Sequence, residues 1–274
     1  MVVIDSPEDP RLERFRLRER ELRPRRMPAR MTRGESPENI EHGLFVAEGD
    51  LVVERSLAAG CKPRSVLTDS ERPSRILALL PDDVEVFAAS ADARRMLTGL
   101  GVALDVIALF ERPPLHDFRR LIDDARHVIV LEDVDNPTNV GAIVRSAVAL
   151  GVDGLILDRN SSDPLARRAL RVSMGTALGL TTARHSPIGE VIDALDRAGY
   201  QVFALTPDAN ALDISTIPHP SSRVAIVLGS ERQGLSADTL ARVKSRVRIP
   251  MSEGVDSLNV AAAAAVACFA LIPR

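Results

Sequence analysis

Apolar positions along this chain fall into short blocks whose spacing switches between extended runs and helical stripes. In Phe45–Gly60 (FVAEGDLVVERSLAAG), Leu51, Val52, Leu57 and Ala58 form a helical stripe closed by Gly60, a residue suited to a helix C-terminus. Ser65–Asp69 and Val84–Ser90 read as short strands around a helical stretch over 72–80. Ser90 then caps a helix through Met96 and Leu97, and Val102–Phe110 returns as a strand. Glu111–Asp117 (ERPPLHD) has two consecutive prolines and reads as a stiff linker. Beyond it come a helical turn, a strand at His127–Val134, a helix at Thr138–Leu150 and a strand at Gly154–Leu157. Helices follow at Pro164–Ala177 and Ile188–Ala198, then strands at Gln201–Leu205, Val224–Leu228 and Val247–Ile249. A helix near Ala237–Val243 separates the last two strands, and an Ala-rich helix, Asn259–Ile272, ends the pattern. Strands alternating with helices predict an α/β fold with a mainly parallel sheet covered on both faces. The organisation is a smaller α/β domain over residues 1–112 and a larger one over 118–274.

Composition narrows this picture. Apolar residues make up 45% of the 274, ample for a core. Aromatics are only 3%, with no Trp, so the core is built from aliphatic residues and a surface of stacked rings for single strands is disfavoured. No N-terminal segment combines a basic region with an apolar stretch, and Val260–Ile272 is too short to span a bilayer. A cytoplasmic protein without membrane contact is expected. Cys61 and Cys268 stand far apart and are expected to be free, buried thiols. The histidines at 42, 116, 127, 185 and 219 have no metal-ligand spacing, so no metal is expected.

The net charge is −3, but its distribution matters more than its sum. Residues 11–33 carry ten Arg against three Glu, a local +7 that leaves −10 on the rest. Such a block is either a solvated arm or a nucleic-acid contact. Arginine throughout favours phosphate, whose oxygens match the guanidinium fork. Arg167, Arg168 and Arg171 form a second group near a helix start, either a solvated face or one that reaches RNA bound by a partner subunit.

Parallel α/β sheets bind ligands beyond the carboxyl ends of their strands. Four loops lie there: Asp135–Asn139, Thr206–Asn210, Gly229–Gly234 and Met251–Asn259. The first lacks G-x-G-x-x-G, which counts against a nicotinamide-dependent oxidoreductase. Arg145 lies six positions beyond Asn139 among Ile143, Val144, Ala147 and Val148. A cation in so apolar a segment calls for a phosphate or carboxylate partner. Gly229 suits close approach of backbone to a ligand. Asp256, Ser257 and Asn259 precede the last helix, where unpaired N–H groups need acceptors.

Three stretches, Asn136–Gly151 (NPTNVGAIVRSAVALG), Val224–Ser236 (VAIVLGSERQGLS) and Ile249–Ala265 (IPMSEGVDSLNVAAAAA), resemble in order and spacing the signature motifs of the SpoU/TrmH family of RNA ribose 2′-O-methyltransferases. The resemblance implies a deep trefoil knot in the C-terminal domain, with S-adenosylmethionine seated in it. Thr206, Leu228, Gly229, Ile249, Met251, Leu258 and Asn259 are implied as donor contacts, and Arg145, Asn139, Glu231, Ser257 and Asn259 as the catalytic set. Glu231 is a candidate to orient Arg145, and Asn259 has first-turn capping as an alternative role. The chain departs from the common pattern at Ser230–Glu231–Arg232, where Asn-Glu-Gly is usual, and at Asp256, where Glu is usual. More loosely, the first domain resembles the ribosomal-protein-like RNA-binding domain of rRNA-directed members, Glu48–Gly49 included. A homodimer acting on 23S rRNA is therefore expected. Base methylation, a tRNA substrate, a resistance role and a non-catalytic assembly factor are the alternatives.

Overall fold

The computed structural model describes residues 1–22, 43–98, 101–218, 222–255 and 257–273. Residues 23–33 of the Arg-rich block, His42, His219 and Asp256 lie outside them. The chain divides into two units, Met1–Pro114 with Leu165–Gly175, and Leu115–Pro164 with Thr176–Arg274. In chain order the elements are β1 (Val2–Ile4), α1 (Glu13–Arg16), α2 (Glu19–Leu22), β2 (Leu44–Glu48), α3 (Asp50–Ala58), β3 (Pro63–Asp69), β4 (Glu85–Ala89), α4 (Ala91–Thr98) and β5 (Val106–Glu111). Then come α5 (Phe118–Asp124), β6 (His127–Leu131), α6 (Pro137–Ala149), β7 (Gly154–Leu157), α7 (Arg167–Val172), β8 (Thr181–Arg184) and α8 (Ile188–Arg197). The chain closes with β9 (Gln201–Leu205), β10 (Leu212–Asp213), β11 (Val224–Leu228), α9 (Ala237–Arg242), β12 (Ser245–Arg248) and α10 (Val260–Leu271).

The first unit is a sheet in the order β1-β4-β3-β5-β2. β1, β4 and β3 pair in parallel, and β5 runs antiparallel to both β3 and β2. Its core joins Ile4, Leu12, Phe15, Val46, Leu67, Phe87 and Ile107, with Phe15 and Phe87 edge to face at 6.3 Å. Arg94 is 1% exposed, a state that requires every N–H to find an acceptor. The Ala89 carbonyl accepts from Nε at 3.2 Å, while the Leu104 carbonyl and the Asp69 carboxylate take the remaining nitrogens.

A second buried charge organises Leu165–Gly175. The Glu48 carboxylate accepts from Arg167 Nη1 at 3.0 Å and from Arg171 Nη1 at 2.6 Å. Arg167 also donates to the Phe15 carbonyl, and its backbone N–H donates to Glu19 Oε1 at 2.9 Å. Arg167 and Arg171 are thus structural cations within this unit, and neither alternative drawn from the sequence describes them.

The second unit holds a sheet in the order β10-β12-β9-β11-β6-β7-β8, with every pairing parallel. β6, β7 and β11 are buried along nearly their whole length, as strands covered on both faces must be. On one face α5 and α8 contribute Phe118, Leu121, Ile122, Ile188, Val191, Ile192 and Leu195 to a core with Val128, Val130, Val202 and Val227. α10 packs against α6 and β11. No helix among the described residues is long and apolar enough to cross a membrane.

Several elements differ from the sequence expectation. Phe45–Gly60 opens as strand β2 before its helix, because Leu44–Glu48 pairs with β5, a partner no local pattern reveals. The stretch over 72–80 contracts to a 3-10 turn at Arg75–Leu79. Val102–Phe110 enters the sheet only at Val106, His127–Val134 leaves it at Leu131, and the last strand is Ser245–Arg248. The long helix expected over Pro164–Ala177 shortens to α7, since Met174 and Gly175 turn left-handed with φ of 55° and 79°. β1, β8 and the two-residue β10 were not read from the sequence. Cys268 is buried, and that burial pushes its thiol up to about 12; Cys61 is only partly buried, not fully as expected.

Candidate active site

Because the strands are parallel, β6, β9, β11 and β12 deliver their following loops to one edge. There a cavity of about 680 Å³ opens between the loops after β9, β11 and β12 and the start of α10. That volume lies within the range of small-molecule sites. Thr206, Leu228, Gly229, Ile249, Met251, Leu258 and Asn259 all line it. Glu231 and Ser257 line it too, whereas Asn139 and Arg145 do not. Apolar walls from Leu205, Leu235, Leu240, Val247 and Ala263 complete it, residues the sequence did not single out.

Asn259 is the junction of the site. Its Oδ1 caps α10, accepting from the N–H of Ala261 at 2.9 Å and of Ala262 at 3.4 Å. With the oxygen so engaged, Nδ2 donates to Glu231 Oε1 at 2.6 Å and to Asn139 Oδ1 at 3.2 Å. Capping and site assembly are therefore one function of a single amide. Asn139 is buried on α6, whose own cap is Asn136 Oδ1 accepting from Thr138 N–H at 2.9 Å. A Pro at the first helical position removes a donor that would otherwise be unpaired.

Arg145 behaves differently from the expectation. It lies on the exposed face of α6, with no hydrogen bond or ion pair to any described residue. Its apolar neighbours Ile143, Val144 and Ala147 are buried. Helical geometry turns the arginine away from them into solvent, so its apolar flanks impose no need for a buried partner. Glu231 pairs with Asn259 instead of Arg145.

The loop after β11 closes on itself, with Gly234 N–H donating to the Ser230 carbonyl at 2.9 Å. A Cβ on Gly229 would lie 2.3 Å from the Gly234 carbonyl carbon and 2.4 Å from Leu235 N. Glycine is thus required by the loop's own backbone, a closer constraint than approach to a ligand. Gly229→Ala should lower the melting temperature markedly and lose the cavity with it; an unchanged melt would refute that requirement.

Glu132, at the carboxyl end of β6, anchors the far side of this loop. Its carboxylate accepts from Ser236 N–H and Oγ, each at 2.9 Å, and from Thr239 Oγ1 at 2.8 Å. Sequence reasoning missed it, although a carboxylate ending an otherwise apolar strand was a usable signal.

Fold and cavity together define a parallel α/β protein with a cavity of small-molecule size at the carboxyl edge of its sheet. Residues 126–269 match the SpoU rRNA Methylase family. The chain is 37% identical to an uncharacterized tRNA/rRNA methyltransferase of Mycobacterium tuberculosis, over 96% of this chain and 89% of that one. It is 31% identical to a 23S rRNA (guanosine-2′-O-)-methyltransferase of Acinetobacter baylyi, over 76% and 89% respectively. An AdoMet-bound rRNA methyltransferase from Sinorhizobium meliloti superimposes with a TM-score of 0.80 at 24% identity, covering 98% of this chain and 96% of that one. The chain belongs to the SpoU rRNA methylase family and is a methyltransferase.

Proposed function

We propose that this methyltransferase moves the methyl group of S-adenosylmethionine to a ribose 2′-oxygen of ribosomal RNA, with 23S rRNA the favoured substrate. The observation that carries the reading is the Asn139–Asn259–Glu231 network beside the 680 Å³ cavity. Apolar walls with Thr206, Ser230 and Asn259 between them fit a ligand with an adenine face and polar ends. When bound, S-adenosylmethionine supplies an electrophilic methyl on sulfonium sulfur. The oxygen–carbon bond forms as the carbon–sulfur bond breaks, and the 2′-hydroxyl proton leaves.

The chain supplies alignment and charge. A guanidinium keeps its proton in ordinary environments, so Arg145 serves as a donor that holds phosphate and polarises the 2′-hydroxyl, with the proton passing to solvent. Asn139 and Glu231 are fixed relative to the donor by Asn259, while Ser257 on the cavity rim contacts the ribose or its phosphate. The basic block over 11–33 and the first unit hold more distant RNA. Ala262, Val266 and Phe269 recur on an exposed side of α10, with Val266 39% and Phe269 63% exposed. This face supports a homodimer built on α10.

The test is methyl transfer from labelled S-adenosylmethionine to separated rRNA and tRNA, read as an alkali-resistant linkage. Label in 23S rRNA is expected. Label in tRNA alone would overturn the substrate, and donor binding without transfer to either would favour an assembly factor.

A further inference from the structure

We infer that Arg159, on the loop after β7, binds the phosphate backbone of the RNA beside the target nucleotide. This rests on the methyltransferase reading above and adds a substrate contact outside the cavity and its motifs. β7 is the parallel neighbour of β6, so its loop emerges beside the one that leads into α6, about 5 Å away.

The two loops are laced together. Asp158 N–H donates to the Leu131 carbonyl at 3.0 Å, and Ser161 Oγ accepts from Val134 N–H at 3.0 Å. Ser162 N–H donates to the Val134 carbonyl at 2.8 Å, and Ser162 Oγ donates to the Asp135 carbonyl. From behind, the Arg184 guanidinium donates to the carbonyls of Asp158 and Ser161. The Asp158 carboxylate caps the turn through Ser161 N–H at 2.7 Å, and Arg159 N–H donates to Ser186 Oγ at 3.0 Å. Asp158 and Ser161 are buried, but Arg159 and Asn160 at the tip are exposed.

The Arg159 side chain has no hydrogen bond or ion pair to any described residue. A rigid backbone thus presents a guanidinium to solvent next to the helix that carries Asn139 and Arg145. Its surroundings are acidic: Glu132, Asp133 and Asp135 follow β6, and Glu231 follows β11. A polyanion approaching this edge meets like charge unless cations offset it. Among the described residues, the exposed guanidiniums there without a hydrogen bond or ion pair are Arg145, Arg159 and Arg232. Arg159 lies one strand from the first-motif loop and two from the loop of Arg232. The three give an RNA strand phosphate contacts on both sides of the reacting ribose, and the tied loop lowers the ordering cost of making one.

The experiment compares the full chain with Arg159→Gln and Arg159→Lys, using a 23S rRNA transcript. Arg159→Gln should raise KM for the RNA about tenfold with kcat and donor affinity kept. It should also reduce the slope of log affinity against log salt by about one. Arg159→Lys should restore the slope and only part of the KM, because the charge returns without the fork. An unchanged slope and KM would overturn the assignment, and so would a lowered melting temperature with an unchanged slope. The binding arm needs no turnover, so a wild-type chain that bound RNA without methylating it would refute the proposed reaction while still deciding the role of Arg159.

Discussion

Arg145→Ala should abolish detectable methyl transfer, a loss of about a hundredfold to a thousandfold or more, while donor affinity and melting temperature should stay at their wild-type values. The basis is where the residue stands. Arg145 is exposed on α6 and bonds to no described residue, so its removal breaks no hydrogen bond or ion pair among them. Exposed substitutions of that kind move stability by about half a kcal/mol at most. It does not line the cavity, so the donor should bind as before. In the proposed reaction the guanidinium is left for a group that arrives with the substrate. Single-turnover methyl transfer, beside isothermal titration of S-adenosylmethionine and a thermal melt, separates these effects. A large fall in melting temperature would make Arg145 structural, and retained transfer would remove it from the reaction. Arg145→Lys should recover only a fraction of the rate, since an ammonium keeps the charge but cannot hold phosphate and hydroxyl in a planar fork.

Asn259→Ala carries the second large effect, and it divides into two parts. Loss of the cap on α10 costs about 1 kcal/mol of stability. Loss of Nδ2 leaves Glu231 without that donor and releases the Asn139 amide from its fixed orientation. A hydrogen bond to a charged group is worth about 1.5–3 kcal/mol, so the rate should fall about tenfold to a hundredfold. Asn259→Ser separates the parts. Serine is as good a cap as asparagine, but its short hydroxyl cannot cap α10 and also reach both Glu231 and Asn139. Its melt should match wild type while the rate stays low. Equal recovery of rate and melt in the serine variant would reduce Asn259 to a cap alone.

Much of the catalytic unit was legible because its strands are central and its helices amphipathic. Val224–Leu228 reads as a buried strand on its own residues, and its bounds match the structure. The residues that the family resemblance implied as donor contacts all line one cavity, Leu228 from the end of β11 and the others from the loops after β9, β11 and β12. Harder to read were elements that exist only through a distant partner. Leu44–Glu48 becomes a strand by pairing with β5, and Thr181–Arg184 by pairing with β7. Pro164–Ala177 has helical composition, but its second half yields to a left-handed turn at Met174–Gly175. Glu48 looked like a motif residue, yet its neighbours in space are Arg167 and Arg171, more than a hundred positions away.

The chemistry of this protein was decided in sequence: which side chains stand on which loops, and in which order three motifs follow one another. Side-chain type and local period are properties of the chain, and they survive without coordinates. Pairing was decided only by tertiary structure, because a hydrogen bond depends on where two groups meet and not on what each one is. That is why Glu231 serves Asn259 and leaves Arg145 without a partner among the described residues, and why Gly229 yields to Gly234 before any ligand arrives. It is also why an exposed arginine after β7, unmarked in the sequence, stands beside the site.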